Sequence, residues 1–322
     1  VFLSRSSSSM YEEQVFDILK CTVQRLVMEE EMSEVSAWLR GVTPNNYDVE
    51  HVLVKFMEND LQERSSVMEG LMNLAFTLLG TTSAKGRESV AKKMWNLGTY
   101  VLVRMIKKHH KATGTVLQIL TNNIITGQCV LQYTNCLYQM ARTVPLVLNE
   151  YRTIIINLLE LLSQLFGSVA EDVVYAVLPT VRAFRSLRDV LIMVLRKTLF
   201  SRNIETRKMA VSGFLQLLKH LDVKGMAVLS SQSSQFSNNS QNSSQKHSLL
   251  TQIDMESPGG SNNEAICLEI LGVLRRCFIQ QAEVKIRLYE GLHSGVIRNP
   301  ELAVFVQDMI ISHFSQYYES DV

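Results

Sequence analysis

The chain has 322 residues, 46% of them hydrophobic and 20% charged, enough apolar material for one elongated domain or two to three compact ones. Its 32 Lys+Arg against 31 Asp+Glu leave a net charge of +1, which excludes a global field drawing in nucleic acid or an acidic membrane surface, so any such contact must be a local face. Five prolines and 15 glycines beside 14 methionines exclude a turn-rich sandwich or barrel and predict an all-α fold.

The first residues, VFLSRSSSS, carry no initiating Met. They also lack the charged head, apolar core and small-residue cleavage site of a secretory signal, so the chain is expected to be a fragment of a longer protein. From Tyr11 onward, Val15, Phe16, Ile18, Leu19, Val23, Leu26 and Val27 fall three or four apart and predict a helix with one apolar stripe. Similar stripes run over 51–57, 67–79, 90–106, 116–125 and 130–140. After Pro145 the pattern predicts one long apolar helix over 147–166, then helices over 173–184, 190–200 and 206–220. Helices of this length joined by short connections pack antiparallel to their chain neighbours. The expected architecture is therefore an irregular α-solenoid of antiparallel helical pairs, HEAT- or armadillo-like, without a fixed sequence repeat.

The pattern stops at LSSQSSQFSNNSQNSSQKHSLLTQIDMESPGGSNN, residues 229–263, whose composition cannot repay its own ordering entropy and reads as a mobile linker. Helical periodicity resumes at Ala265 with Ile266, Leu268, Ile270, Leu271 and Leu274, and continues over 284–292 and 302–314. The domain reading is the end of a helical domain over 1–45, an α-solenoid segment over 46–224, the linker over 225–263, and the start of a second helical domain over 264–322.

No apolar stretch approaches the roughly 20 residues needed to cross a bilayer, so no membrane partner is expected. The five cysteines lack a C-x-x-C pair and mostly sit in apolar helical patterns, as buried thiols of a reducing, intracellular compartment do. His109-His110 has no zinc-ligand spacing around it, and no phosphate loop or nucleophile elbow occurs; Gly80-Thr-Thr-Ser-Ala-Lys-Gly has its lysine before the second glycine. No metal, no cofactor and no catalytic residue is expected. Lys107, Lys108 and Lys111, with Lys92-Lys93, Arg207-Lys208 and Arg275-Arg276, are candidate phosphate neighbours if they line one groove; solvated helix faces carry such pairs routinely.

The linker holds five glutamines, and each directly follows Ser or Thr. Ser231, Ser234, Ser240, Ser244 and Thr251 thus form an SQ/TQ cluster, the acceptor pattern of DNA-damage checkpoint kinases. Each phosphate would add about −1.5 to −2 charges to a nearly neutral segment, turning it polyanionic. Such a segment could dock on a basic groove or be repelled from bound DNA, shifting an equilibrium between two solenoid arrangements. An unregulated polar spacer is the plainer reading of the same composition.

Five strings, YEEQVFDILK from Tyr11, DVLIMVLRK from Asp189, RKMAVSGFLQLLK from Arg207, CLEILGVLRRC from Cys267 and QQAEVKIRLYEG from Gln280, resemble the Fanconi anaemia group I family in order and spacing. The resemblance covers nearly the whole chain and is strongest from Arg188 onward. It implies a non-enzymatic scaffold of DNA interstrand crosslink repair, nuclear and chromatin-bound on damage as well as cytoplasmic. It further implies pairing with the group D paralogue as a clamp on double-stranded or branched DNA. By the same resemblance Lys197, in VLRK, is the monoubiquitination acceptor, with ubiquitin, its conjugating enzyme and its ligase as partners. By position alone Lys197 is a lysine near a helix C-terminus, where positive charge suits the dipole. Ser231, Ser234 and Ser240 reproduce the family's spacing of three and then six residues, whereas Ser244 and Thr251 depart from it. The rival reading is a HEAT or armadillo adaptor, such as a nuclear transport scaffold, in which the SQ cluster is incidental.

Overall fold

The computed structural model describes residues 9–42, 49–58, 65–82, 88–127, 130–221 and 260–318. Among these residues the regular structure is helical throughout, and the chain divides into two compact units, residues 1–155 and 156–322. All five phosphorylation candidates, Ser231, Ser234, Ser240, Ser244 and Thr251, lie outside the described residues, as does most of the predicted linker.

The first unit holds α1 (Ser9–Val35), α2 (Ala37–Val42), α3 (Val49–Glu58), α4 (Ser65–Leu79), α5 (Glu88–Lys108), α6 (Thr113–Thr126), α7 (Leu131–Thr143) and α8 (Pro145–Glu150). Its core begins where the stripe of α1 meets α4 and α5: Phe16 and Val27 pack with Leu74, Leu78, Val90, Met94 and Leu97. The α4–α5 crossing is close because Gly98 has no side chain. A Cβ there would stand 2.7 Å from the carbonyl oxygen of Ala75. Across the connection, Trp95 Nε1 donates to the Thr81 carbonyl at 2.8 Å.

The long helix expected over 147–166 is broken. Pro145 opens α8 at its first position, the chain leaves helical geometry at Tyr151 (φ −103°, ψ 27°), and α9 (Arg152–Glu160) follows, ending in a 3₁₀ turn at Leu161–Ser163. Tyr151 has partners elsewhere in the unit: its hydroxyl donates to the His110 carbonyl at 3.2 Å. Its ring covers Gly114, where a Cβ would lie 2.8 Å from Tyr151 Cε1. Apolar periodicity carries on through the break because both short helices bury the same kind of residue, so the pattern alone cannot register it.

The second unit holds α10 (Gly167–Ala183), α11 (Arg185–Leu199), α12 (Ile204–His220), α13 (Gly260–Arg275), α14 (Ala282–Arg298) and α15 (Ala303–Phe314). α12 starts on an Asn203 cap whose side-chain oxygen accepts from the Glu205 N–H at 2.9 Å, and it ends on Lys219 and His220, which suit the negative end of the helix dipole. α10, α12 and α14 run parallel in one layer. At their N-terminal ends Arg207 Nη2 donates to Gln281 Oε1 (2.7 Å), and at their C-terminal ends Asn299 Nδ2 donates to the Leu221 carbonyl (3.1 Å). Midway, Glu171 of α10 accepts from Ser212 of α12 (3.0 Å) and from Arg287 of α14 (2.6 Å). α11 and α13 run parallel in the second layer, with Arg188 Nη1 donating to Asn263 Oδ1 (3.4 Å) and Arg196 paired with Glu269. α12 and α13 are therefore antiparallel, the two arms of a helical hairpin, and residues 222–259 lie between them in the sequence.

Two stability tests follow from this packing. Gly98→Ala gains about 1 kcal/mol in helix propensity but drives a methyl into backbone, an overpacking cost of about 1–3 kcal/mol, so a modest net fall in melting temperature is expected. Asp172, next to the Glu171 site, has its carboxyl pKa raised by burial and secondarily by the Glu171 charge. The folded state therefore holds that proton more tightly than the unfolded chain, and the favourable contribution is complete at low pH and lost as pH rises through the raised pKa. Asp172→Asn should raise the melting temperature at pH 7, with the gain disappearing below about pH 4, where the unfolded carboxyl is protonated as well.

Candidate modification and nucleic-acid sites

Lys197 lies in the last turn of α11, a helix that buries Leu187, Leu191, Ile192, Val194, Leu195, Thr198 and Leu199. The opposite stripe, Asp189, Met193 and Lys197 at four-residue spacing, is exposed, so the ammonium group stands in solvent while the residues either side of it are held. Arg196 is paired with Glu269 of α13, and Thr198 returns its hydroxyl to the Leu195 carbonyl at 2.9 Å. The lysine thus projects from a backbone locked by its neighbours.

Beside this turn opens a cleft of about 1260 Å³ between the end of α11, the start of α12 and the α13–α14 junction. Arg196, Arg207 and Arg276 bring positive charge to it, and Leu199, Phe200 and Ile279 bring apolar surface. Phe200 is 83% exposed and Ile279 90%. The sequence reading places Phe200 at the end of an apolar helical pattern and gives it no role. Nothing in the periodicity distinguishes a terminal aromatic that turns outward from one that turns in.

Lys107 and Lys108 occupy the last turn of α5, and Lys111 the 3₁₀ turn His110–Ala112 that leads into α6; all three are exposed. The Tyr151 hydroxyl on the His110 carbonyl fixes this elbow. Lys93 is engaged elsewhere, 3.7 Å from Glu31 and 3.9 Å from Glu34, and stands about 20 Å along the helix from Lys107 at about 1.5 Å rise per residue. Arg207 is occupied by Gln281 and by the Ser201 carbonyl. Of the basic residues singled out from the sequence, Lys107, Lys108 and Lys111 share one elbow, and Arg207 and Arg276 share one cleft.

Among the described residues no group of three His, Cys, Asp or Glu side chains could hold a metal ion, and no helix is long and apolar enough to cross a membrane. Cys136, Cys267 and Cys277 are free and buried, and burial pushes their thiols up to about 12, about 12 and about 11, away from nucleophilic thiolate. Cys21 is free and exposed.

Helices joined by short connections and packed as pairs define an all-α solenoid. Three family models match in chain order: FANCI helical domain 1 over residues 1–59, FANCI solenoid 2 over 67–215 and FANCI helical domain 2 over 240–322. The chain is 31% identical over 333 residues to the Fanconi anemia group I protein of Gallus gallus, covering 99% of this chain. It is 28% identical over 336 residues to the Fanconi anemia group I protein homolog of Mus musculus, covering all of it. The chain belongs to the Fanconi anaemia group I family. It spans 24% of the length of each of these relatives.

Proposed function

We propose that this chain is the central part of a non-enzymatic scaffold of DNA interstrand crosslink repair that pairs with its group D paralogue as a clamp on double-stranded or branched DNA. The observation that carries this reading is the collinear match of three group I domains across the chain. On this reading Lys197 is the ubiquitin acceptor. Its exposure on a held backbone suits the transfer: the lysine nitrogen gives up a proton and attacks the thioester carbonyl of a charged conjugating enzyme, the C–S bond breaks as the isopeptide C–N bond forms, and the enzyme's thiolate leaves. A ligase would bring that enzyme to the α11 face, and the attached ubiquitin would act as a wedge between the paired subunits. Ser231, Ser234 and Ser240, with Ser244 and Thr251 as further acceptors, are the sites at which a DNA-damage checkpoint kinase would favour the closed, DNA-bound state. The protein on this reading is nuclear, chromatin-bound on damage, and also present in the cytoplasm.

The deciding experiment maps modifications on the full-length protein from cells before and after an interstrand crosslinking agent. Damage-dependent phosphate on Ser231, Ser234 or Ser240 with a ubiquitin remnant on Lys197 supports the clamp. Unmodified peptides at all four, well covered, return the chain to the general adaptor class. Lys197→Arg is expected to abolish monoubiquitination while leaving melting temperature unchanged, since the residue is solvent-exposed; a retained conjugate would mean another lysine is the acceptor. If Lys107, Lys108 and Lys111 face DNA phosphates, changing all three to Gln weakens duplex binding irrespective of sequence. It also flattens the dependence of log K on log salt by about 0.9 for each phosphate left without its lysine. An unchanged slope would remove the elbow from the DNA path.

A further inference from the structure

The end of the second unit from which residues 222–259 depart is built from the last turns of three parallel helices, and each brings positive charge. α10 contributes Arg182, α12 contributes Lys219, and α14 contributes Arg298. The Asn299–Leu221 hydrogen bond (3.1 Å) ties the end of α14 to Leu221, after which the segment begins. Arg182 and Arg298 are exposed, and neither forms an ion pair among the described residues. The like charges are near enough to oppose one another: burial first, then Arg182, Arg298 and Lys219, push the His220 imidazole down from its ordinary value. Burial, then Arg287 and Arg298, lower Lys219. The carboxylates on the adjoining turns are Asp189, held by Arg185 at 3.8 Å, Glu264 and Glu301, and Glu171, Asp172 and Glu290 line a pocket with Lys219. Exposed guanidinium groups at one end of the layer, Arg182 and Arg298, favour an anion that can reach them.

We infer that this basic cap, Arg182, Lys219 and Arg298, is the docking surface for the chain's own segment once Ser231 or Ser234 carries phosphate. The inference rests on the phosphorylation reading above and adds to it a place for the phosphate to go. Three features select this occupant. Ser231 and Ser234 follow Leu221 by ten and thirteen residues, a contour of about 33 to 43 Å at about 3.3 Å per residue, so the cap is within reach. Tethering makes docking intramolecular, with an effective concentration in the millimolar range for a short connection, so a weak contact suffices. Residues 222–259 carry Asp222, Asp254 and Glu256 against Lys224 and Lys246. Without phosphate the segment therefore has little charge to offer. Each phosphate supplies about −1.5 to −2 and an oxygen face that guanidinium groups bind bidentately. The cleft near Lys197 is the poorer host: Arg196 is taken by Glu269, Arg207 by Gln281 and Ser201, and the cleft lies at the far ends of α11 and α13. Docking on the cap leaves Lys197 clear, about 18 Å away along α11 from Arg185, so the two modifications do not compete for one surface.

The test measures fluorescence anisotropy of a labelled peptide spanning residues 226–238, with phosphoserine at 231 and 234, on the full-length protein. The unphosphorylated peptide and a DNA duplex are run beside it. The phosphopeptide is expected to bind at least tenfold more tightly than the unphosphorylated one. That affinity should fall at least tenfold in Arg182→Gln/Lys219→Gln/Arg298→Gln, checked for folding by thermal melting, and partially in Arg182→Gln alone, an exposed position whose loss leaves the core intact. Equal affinity of the two peptides, or equal affinity for wild type and Arg182→Gln, overturns the proposal. So does a variant that loses only duplex binding, which makes the cap a nucleic-acid contact. Because the phosphates are synthetic, the result is independent of whether cells modify Ser231 and Ser234; absence of phosphate there after crosslinking damage would sink the phosphorylation reading by itself.

Discussion

Everything in the second unit depends on the burial of α12 between helices drawn from both sides of residues 222–259. Met209, Val211, Phe214, Leu215, Leu217 and Leu218 are all withdrawn from solvent. At about 1.5–3 kcal/mol for each large apolar side chain, their burial contributes on the order of 10 kcal/mol, against the 0–1 kcal/mol of a typical exposed ion pair. The approach of α14 is close enough that a Cβ on Gly291 would fall 2.2 Å from Leu215 Cδ1. Helices that precede the long segment and helices that follow it thereby share one core.

From that packing the polar features take their positions. Parallel alignment of α10, α12 and α14 brings Glu171, Ser212 and Arg287 to one level and collects the basic last turns at one end. The α11–α13 layer places Lys197 and the arginine-lined cleft at the other end. In a solenoid each helix pair contacts mainly its neighbours, so a surface residue can be altered without unmaking the core.

The helices themselves were legible because a 3.6-residue apolar stripe is a local property, and the predicted stripes at 67–79, 90–106 and 206–220 each fall inside an observed helix. Tyr151 escaped, since its departure from helical geometry is stabilised by His110 and Gly114, about forty residues away in the chain. Lys197 was singled out through a resembling string, not through its spacing, which looks like any lysine at a helix end. Phe200, at the end of the 190–200 pattern, lies outside the core, because the last residue of a stripe has no following turn to bury it.

The sequence by itself determined the helical class, the number and spacing of apolar stripes, the SQ/TQ cluster and the family to which the chain belongs. These are properties of neighbours along the chain, where side-chain order is the whole of the information. Only the tertiary structure decided that α12 and α13 form a hairpin across residues 222–259, that Lys93 is taken by Glu31 while Lys107, Lys108 and Lys111 stay exposed, and that Arg182, Lys219, His220 and Arg298 gather at one end. Each depends on which helix lies beside which, and that is set by the summed burial of many apolar contacts between residues far apart in sequence, a quantity that no local pattern carries.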